Sequence, residues 1–268
     1  MKCFICVTCG TEFPPSEAPP PECPICLDER QYVGLEGQQW TTLGELRKSH
    51  RNRRTDEEPD LLSFTTDPKF AIGQRAFLVR TPGGNLLWDC ITLLDDETVE
   101  AIADAGGLRA IAISHPHYYS SMVEWSQTFG GVPIYLHSWD RTNVMRPDPN
   151  IRFWDSEQME LWDGLRLVRC GGHFQGGAVL YWPAGAGGKG ALLSGDIIQV
   201  VPDRRWVSFM YSYPNFIPLN APAVRRIAAA VEPFEFGRIY GAFPMMTVAE
   251  GGKDVVRRSA ERYIEAIS

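Results

Sequence analysis

Short apolar runs bounded by turn residues recur along the chain from about residue 61 onward, which is how strands buried on both faces read in a sequence. Ala76-Phe-Leu-Val79, Asn85-Leu-Leu-Trp-Asp89 and Ala110-Ile-Ala-Ile113 are three such runs. Leu165-Arg-Leu-Val168 alternates as a half-buried strand should. Ala178-Val-Leu-Tyr-Trp182 and Ala191-Leu-Leu-Ser194 predict two more buried strands, split by the glycine turn Gly185-Ala-Gly-Gly188. Helices are predicted over Asp96–Asp104, over Ala221–Val231 with Pro222 in its first turn, and over Gly252–Ile267. Strands and helices mix without strict βαβ alternation. That favours an α+β arrangement, two mixed sheets faced by helices, over a doubly wound sheet.

The first 35 residues have a different texture. Pro14, Pro15 and Pro19-Pro20-Pro21 forbid a regular helix or a central strand there. Residues 36–60 include the basic run Arg47-Lys48-Ser49-His50-Arg51-Asn52-Arg53-Arg54, followed at once by Asp56, Glu57, Glu58 and Asp60. Such a mixed charge run predicts a solvated linker. The expected division is therefore a small knuckle over 1–35, a linker over 36–60 and one larger domain over 61–268.

Composition narrows the function classes. The chain has 268 residues, an apolar share of 44% and an aromatic share of 11%, enough to fill a core. A formal charge of -7 excludes a general nucleic-acid binder, which needs clustered Lys and Arg against phosphates. No apolar run approaches the length of a membrane span, and the polar N-terminus lacks the apolar stretch of a signal peptide. A cytoplasmic location is expected, where thiols stay reduced and paired cysteines serve metals more often than disulfides.

Cys6-Val-Thr-Cys9 and Cys23-Pro-Ile-Cys26 form a C-x2-C…C-x2-C arrangement. Two residues between thiolates let one tight turn aim both sulfurs at a single ion, and two such turns complete a tetrahedral site suited to zinc. Four thiolates leave no position for substrate, so the expected site is closed and structural, a zinc ribbon. Iron is the alternative, because Cys6-x-x-Cys9-Gly10 with Cys23-Pro24-x-Cys26 resembles rubredoxin and rubrerythrin knuckles. Those carry glycine after the second pair as well, where this chain has Leu27. Cys3 is a spare thiol, and Cys90 and Cys170 read as buried ones.

A second constellation lies in the larger domain. Ser114-His115-Pro116-His117 ends an apolar strand, and alternate residues of an extended segment share a face, so both imidazoles can bind one ion. Gly171-Gly172-His173 follows the strand at Leu165, and Ser194-Gly195-Asp196 ends another strand with a carboxylate. Imidazoles and a carboxylate at strand ends suit a divalent transition metal. His50 and His137 have no such company and read as structural. Asp89, at the end of Gly84-Asn85-Leu-Leu-Trp-Asp89, is the candidate for orienting a ligand from behind.

The order Gly84-Asn85-Leu-Leu-Trp-Asp89, Ser114-His115-x-His117, Gly172-His173-x-x-Gly176 and Ser194-Gly195-Asp196 resembles the metallo-β-lactamase superfamily, from about Phe64 to the C-terminus. The resemblance implies an αββα four-layer sandwich and hydrolysis of lactams, thioesters, lactones, phosphodiesters or other esters, with redox chemistry in some members. The superfamily's H-x-H-x-D-H falls on His115, Pro116, His117, Tyr118, Tyr119 and Ser120. Both leading histidines match, as do His173 and the bridging Asp196. Tyr119 stands where the superfamily has aspartate and Ser120 where it has histidine, and no histidine follows near Tyr240-Gly241-Ala242-Phe243. The first metal position thus keeps three imidazoles, and the second keeps only Asp196.

These residues predict one structural zinc at Cys6, Cys9, Cys23 and Cys26, and one zinc at His115, His117, His173 and Asp196, with iron as the other metal to consider. The expected function is a mononuclear hydrolase of a small ester, lactone, thioester or phosphodiester, acting through a metal-bound hydroxide. In that mechanism Asp196 orients the water, and Tyr118 or Tyr119 donates to the developing oxyanion, unless the tyrosines are packing residues. The stretch Trp206-Val-Ser-Phe-Met-Tyr-Ser-Tyr-Pro-Asn215 either walls the pocket or packs the core. The alternatives are an inactive metal-binding sensor or interaction module on the same fold, and an iron-dependent redox protein.

Overall fold

The computed structural model describes all 268 residues. They divide into two compact units, Met1–Leu136 with Arg141–Phe153, and His137–Asp140 with Trp154–Ser268.

The first unit opens with β1 (Lys2–Cys6), β2 (Glu12–Ser16), the single-turn α1 (Pro24–Leu27) and β3 (Trp40–Thr41). The three strands form a small sheet in the order β2-β1-β3. β2 holds Pro14 and Pro15 because it is an edge strand, pairing only with β1, where a missing N–H costs no ladder bond. β3 comes from the stretch expected to be linker, and its Trp40 packs its ring edge-on to Phe13 at 5.1 Å. The knuckle therefore closes on itself later than residue 35.

The rest of the expected linker is also structured, contrary to the charge pattern. α2 (Leu43–Ser49) is capped by Thr42, whose side chain accepts the Glu45 N–H. β4 (Arg51–Glu58) then pairs antiparallel with β5 (Leu61–Asp67) along nearly its whole length. The charged run forms a strand because it sits at the outer edge of a sheet. Its side chains face water and pair across it, as Arg53 does with Asp67 at 2.5 Å. No hydrophobic alternation is needed in such a strand, so none could be read.

β6 (Ala76–Val79), β7 (Leu86–Trp88), α3 (Asp96–Asp104), β8 (Ala110–Ala112), α4 (Met122–Thr128), β9 (Ile134–His137) and β10 (Ile151–Trp154) follow. They complete a seven-stranded sheet in the order β10-β9-β8-β7-β6-β5-β4. β6, β7 and β8 are fully buried, which accounts for their unbroken apolar runs. β7 and β8 run parallel in register, Leu86 with Ala110 and Trp88 with Ala112. Their C-terminal ends therefore lie side by side, and Asp89 and the Ser114–His117 segment emerge at one edge.

The second unit is built on a six-stranded sheet of order β11-β12-β13-β14-β19-β20. Its members are β11 (Gln158–Glu160), β12 (Arg166–Arg169), β13 (Ala178–Trp182), β14 (Ala191–Gly195), β19 (Arg238–Gly241) and β20 (Thr247–Val248). The glycine turn between β13 and β14 is α5 (Gly185–Gly188), a tight turn in which Ala186 and Gly187 are left-handed at φ 53 and φ 65. Short strands β15 (Gln199–Val200), β16 (Val207–Ser208), β17 (Met210–Ser212) and β18 (Ile217–Pro218) lead to α6 (Ala221–Val231) and finally α7 (Gly252–Ala266). α6 starts where expected because the Asn220 side chain accepts the Ala223 N–H at 2.9 Å, with Pro222 in the first turn. It buries Val224, Ile227 and Val231 against β12–β14, while α7 buries Val255, Val256 and Ala260 in the same core. No helix is long and apolar enough to cross a membrane.

Candidate metal sites

The four knuckle cysteines converge. Their sulfurs lie within 4.8 Å of one another, with Cys6 and Cys26 3.5 Å apart and Cys9 and Cys23 3.7 Å apart. A tetrahedron of thiolates about 2.3 Å from a zinc has edges of about 3.8 Å, so the donor set fits such an ion. All four are buried. The turns are local: Gly10 N–H bonds to the Cys6 carbonyl, and Cys26 N–H to the Cys23 carbonyl. Hydrogen bonds from Cys23, Cys26 and Cys9 push the Cys6 thiol down, whereas Cys23 and Cys6 push Cys26 up. One thiolate forms readily, the next forms against its charge, and a bound cation would relieve that conflict.

Gln38 supports this site and was not legible in the sequence. Its amide donates to Cys6 Sγ at 3.1 Å while its Oε1 accepts the Cys23 N–H at 3.2 Å. A lone glutamine in a polar stretch carries no spacing signal. Thr11, whose hydroxyl lies 3.3 Å from Cys9 Sγ, was equally silent.

In the first unit the histidine pair is brought together, though not by the extended segment expected. His115 is extended at φ -171, but Pro116–Tyr118 form a 3-10 turn. Proline favours the first position of a helical turn, having its φ preset and no N–H to satisfy. The turn sets the two imidazoles with ring centroids 5.3 Å apart and 71° between planes. Behind them, buried Asp89 accepts the Ser114 N–H through Oδ1 at 2.7 Å, and the Ser114 hydroxyl is 2.9 Å from His115 Nδ1. Asp89 thus reaches His115 through Ser114, the position of a residue that orients a ligand from behind. Asp28, at the end of α1, is held below the ordinary carboxylate range by its hydrogen bond from Arg30, and His117 lowers it further.

Tyr118 and Tyr119 are both buried, and the Tyr118 ring lies 4.4 Å from His115. Ser120 is committed to structure: its carbonyl accepts the Glu12 N–H at 3.1 Å, and its hydroxyl accepts from Gln74 at 3.2 Å.

The second unit carries His173 and Asp196. Gly172 precedes the histidine at φ +84, and a Cβ there would come within 2.7 Å of Ile227 Cδ1, so only glycine serves. His173 Nδ1 lies 2.7 Å from the Tyr211 carbonyl oxygen. A carbonyl only accepts, so Nδ1 bears the proton and Nε2 the lone pair that a metal requires. Tyr213 links the two residues: its ring is 5.5 Å from His173 and its hydroxyl donates to the Asp196 carbonyl at 2.5 Å. Of this aromatic stretch Phe209 packs the core, as one of its two expected roles required, while Tyr211 and Tyr213 contact His173, a bracing role that neither reading named. Position 240–243, where the superfamily has its last histidine, is occupied by buried Tyr240 and Ala242 at the end of β19.

His137 and His50 are structural, as expected. His137 accepts the Trp139 N–H on Nδ1, faces Ser156 carbonyl through Nε2, and burial pushes its pKa down. His50 stacks edge-on against Phe70. Cys90 and Cys170 are fully buried, with burial raising Cys170 to about 12.

No family model matches the chain. Solved structures do. The DIM-1 metallo-β-lactamase exposed to ceftazidime matches at TM-score 0.60 and 13% identity, over 81% of this chain and 98% of its own. VMB-1 matches at TM-score 0.61 and 11% identity, over 81% and 99%. The mono-zinc form of the FIM-1 metallo-β-lactamase from Pseudomonas aeruginosa matches at 0.58 and 16%, over 80% and 96%. The protein has the metallo-β-lactamase fold, the αββα class expected, with a four-cysteine knuckle at its front and metal-capable cysteine and histidine groups. It belongs to the same family as the Bacillus subtilis (strain 168) protein YmaE, 51% identical over 270 residues, covering 100% of this chain and 98% of YmaE.

Proposed function

We propose that this chain is a metal-dependent hydrolase of a small ester, lactone, thioester or phosphodiester, working with one zinc held by His115, His117, His173 and Asp196, while a second zinc serves structure at Cys6, Cys9, Cys23 and Cys26. The observation that carries the reading is the tautomer of His173: the Tyr211 carbonyl fixes its proton on Nδ1 and so directs Nε2 to ligation. The His115–His117 pair, with His115 braced through Ser114 by Asp89, is its counterpart in the first unit. A fold match that spans most of both units, one member of it in a mono-zinc form, supports a single-ion arrangement.

A bound zinc would supply Lewis acidity and bring the ionisation of a water to near pH ~7. The chain's own residues do the remainder. Asp196 orients the attacking water and passes its proton toward the leaving group. Tyr118 sets its ring edge-on to His115, and the hydroxyl of Tyr118 or Tyr119 is the one offered to a developing oxyanion. The partner this chemistry needs is a small-molecule substrate, and a reducing compartment such as the cytoplasm keeps the knuckle thiolates competent.

Elemental analysis and a turnover panel of generic esters, lactones, thioesters and phosphodiesters test the reading. Wild type should carry about two zinc ions per chain, and His173→Ala about one, with turnover abolished. Full turnover in His173→Ala overturns the mechanism. The structural commitment of Ser120 favours a second reading, a non-catalytic metal-binding module. Two ions per chain with no turnover across the panel would select it, and iron in place of zinc would point to redox chemistry instead.

A further inference from the structure

The knuckle meets the histidine loop of the first unit through one backbone contact and a relay of two hydroxyls. Glu12 N–H donates to the Ser120 carbonyl at 3.1 Å. The Thr92 hydroxyl donates to the Gly10 carbonyl at 3.0 Å, and the Ser121 hydroxyl in turn donates to the Thr92 carbonyl at 2.7 Å. Gly10 directly follows Cys9, and its N–H closes the thiolate turn onto Cys6. The turn that aims two sulfurs and the surface that docks on Thr92 are therefore one piece of chain. The fit is close: Gly10 has φ +80, and a Cβ on it would fall 2.4 Å from Thr92 Oγ1. Ser120, the receiver of the other contact, is only three residues beyond His117, in a left-handed conformation at φ 44.

A segment as short and proline-rich as the knuckle buries little apolar surface of its own, so an ion held by its four thiolates would supply much of its folding energy. We propose that the loaded knuckle is a positioning element for the histidine pair: ion binding at Cys6, Cys9, Cys23 and Cys26 orders Gly10–Glu12, which hold residues 114–121 in the shape that presents His115 and His117. Gly10, Glu12 and Thr92 are its positioning residues. The effect on metal binding rests on reading His115 and His117 as ligands, whereas the effect on loop order does not. Loss of the knuckle ion, by chelation or by oxidation of its thiolates, then weakens the histidine site, and by linkage the coupling is reciprocal.

The test uses the full-length protein in four forms: wild type, Cys26→Ser, Thr92→Val and Thr92→Ser. Hydrogen exchange is followed at the Tyr118, Tyr119 and Met122 amides, which bond to the His115, Pro116 and Tyr119 carbonyls inside the loop. Zinc affinity of the histidine site is measured by competition with a chelator. Cys26→Ser and Thr92→Val should each speed exchange at these amides and weaken that zinc by about tenfold, and Thr92→Ser, which keeps the hydroxyl, should restore both. Amides of β6 and β7, in the same unit as the loop, should keep wild-type protection, showing that its fold survives. Wild-type exchange at 118–122 in Cys26→Ser lacking its knuckle ion, or unchanged zinc affinity in Thr92→Val, overturns the proposal. Wild type that binds zinc only at the knuckle defeats the ligand reading of the histidines, and the exchange data still decide the coupling.

Discussion

Glu12 makes the attachment of the knuckle pH-sensitive in a measurable way. Its side chain is 2% exposed, lies against Arg146, and shares that guanidinium with Glu124 at 2.7 Å. Burial is the largest influence on its carboxyl, outweighing Arg146, and raises it from an ordinary 4.5 to about 7. A carboxyl whose folded pKa exceeds its unfolded one holds its proton more tightly in the folded state. Its contribution to stability is complete below the unfolded value and is lost as pH rises through the folded one. Over about 2.5 units of pH at about 1.36 kcal/mol each, that loss amounts to about 3 kcal/mol. Glu12→Gln removes the titration and leaves Arg146 its contact with Glu124. Urea midpoints of both proteins between pH 4.5 and 9 bring out the effect, because groups away from Glu12, Arg146, Glu124 and Cys3 titrate alike in the two. The stability difference should move by about 3 kcal/mol in favour of Glu12→Gln as pH rises. A difference that stays flat to within about 0.5 kcal/mol refutes the reasoning.

Other outcomes follow from the two sheets. Glu57→Ala takes the carboxylate from Arg75, which is 1% exposed and 2.7 Å from it, and removes the acceptor of the Ser63 hydroxyl. The change should cost about 3 kcal/mol in denaturant unfolding, and a loss under about 0.5 kcal/mol would contradict the burial argument. Gly172→Ala forces a Cβ against Ile227 at a left-handed backbone, so a loss of about 1–3 kcal/mol and weaker zinc binding at the histidine site are expected. An unchanged melting temperature would show that the loop tolerates what the geometry forbids.

How much of this was legible depended on where each residue buries its surface. β6, β13 and β14 are buried almost throughout, so their apolar runs could be read directly, and α6 declares itself through Asn220, Pro222 and the spacing of Val224, Ile227 and Val231. β4 was hidden because a sheet-edge strand needs partners on one side only and can fill its exposed positions with charge. The ligand candidates stood out through their spacing, yet the geometry of His115 and His117 depended on Pro116, which turns the chain where alternation predicted extension. The residues that brace them come from far away in sequence. Tyr211 reaches His173 across 38 positions and Gln38 reaches Cys6 across 32, distances at which no local pattern survives.

β4 has one more effect. An open sheet margin is a row of hydrogen-bonding groups that another chain can zip onto. Here a newcomer would have to strip water from Arg51, Arg53, Arg54, Asp56 and their ion partners before gaining a single ladder bond. The same charges that disguised the strand as a tether thus guard the protein against fibre-like self-association, and neutralising them should be felt first as aggregation on storage.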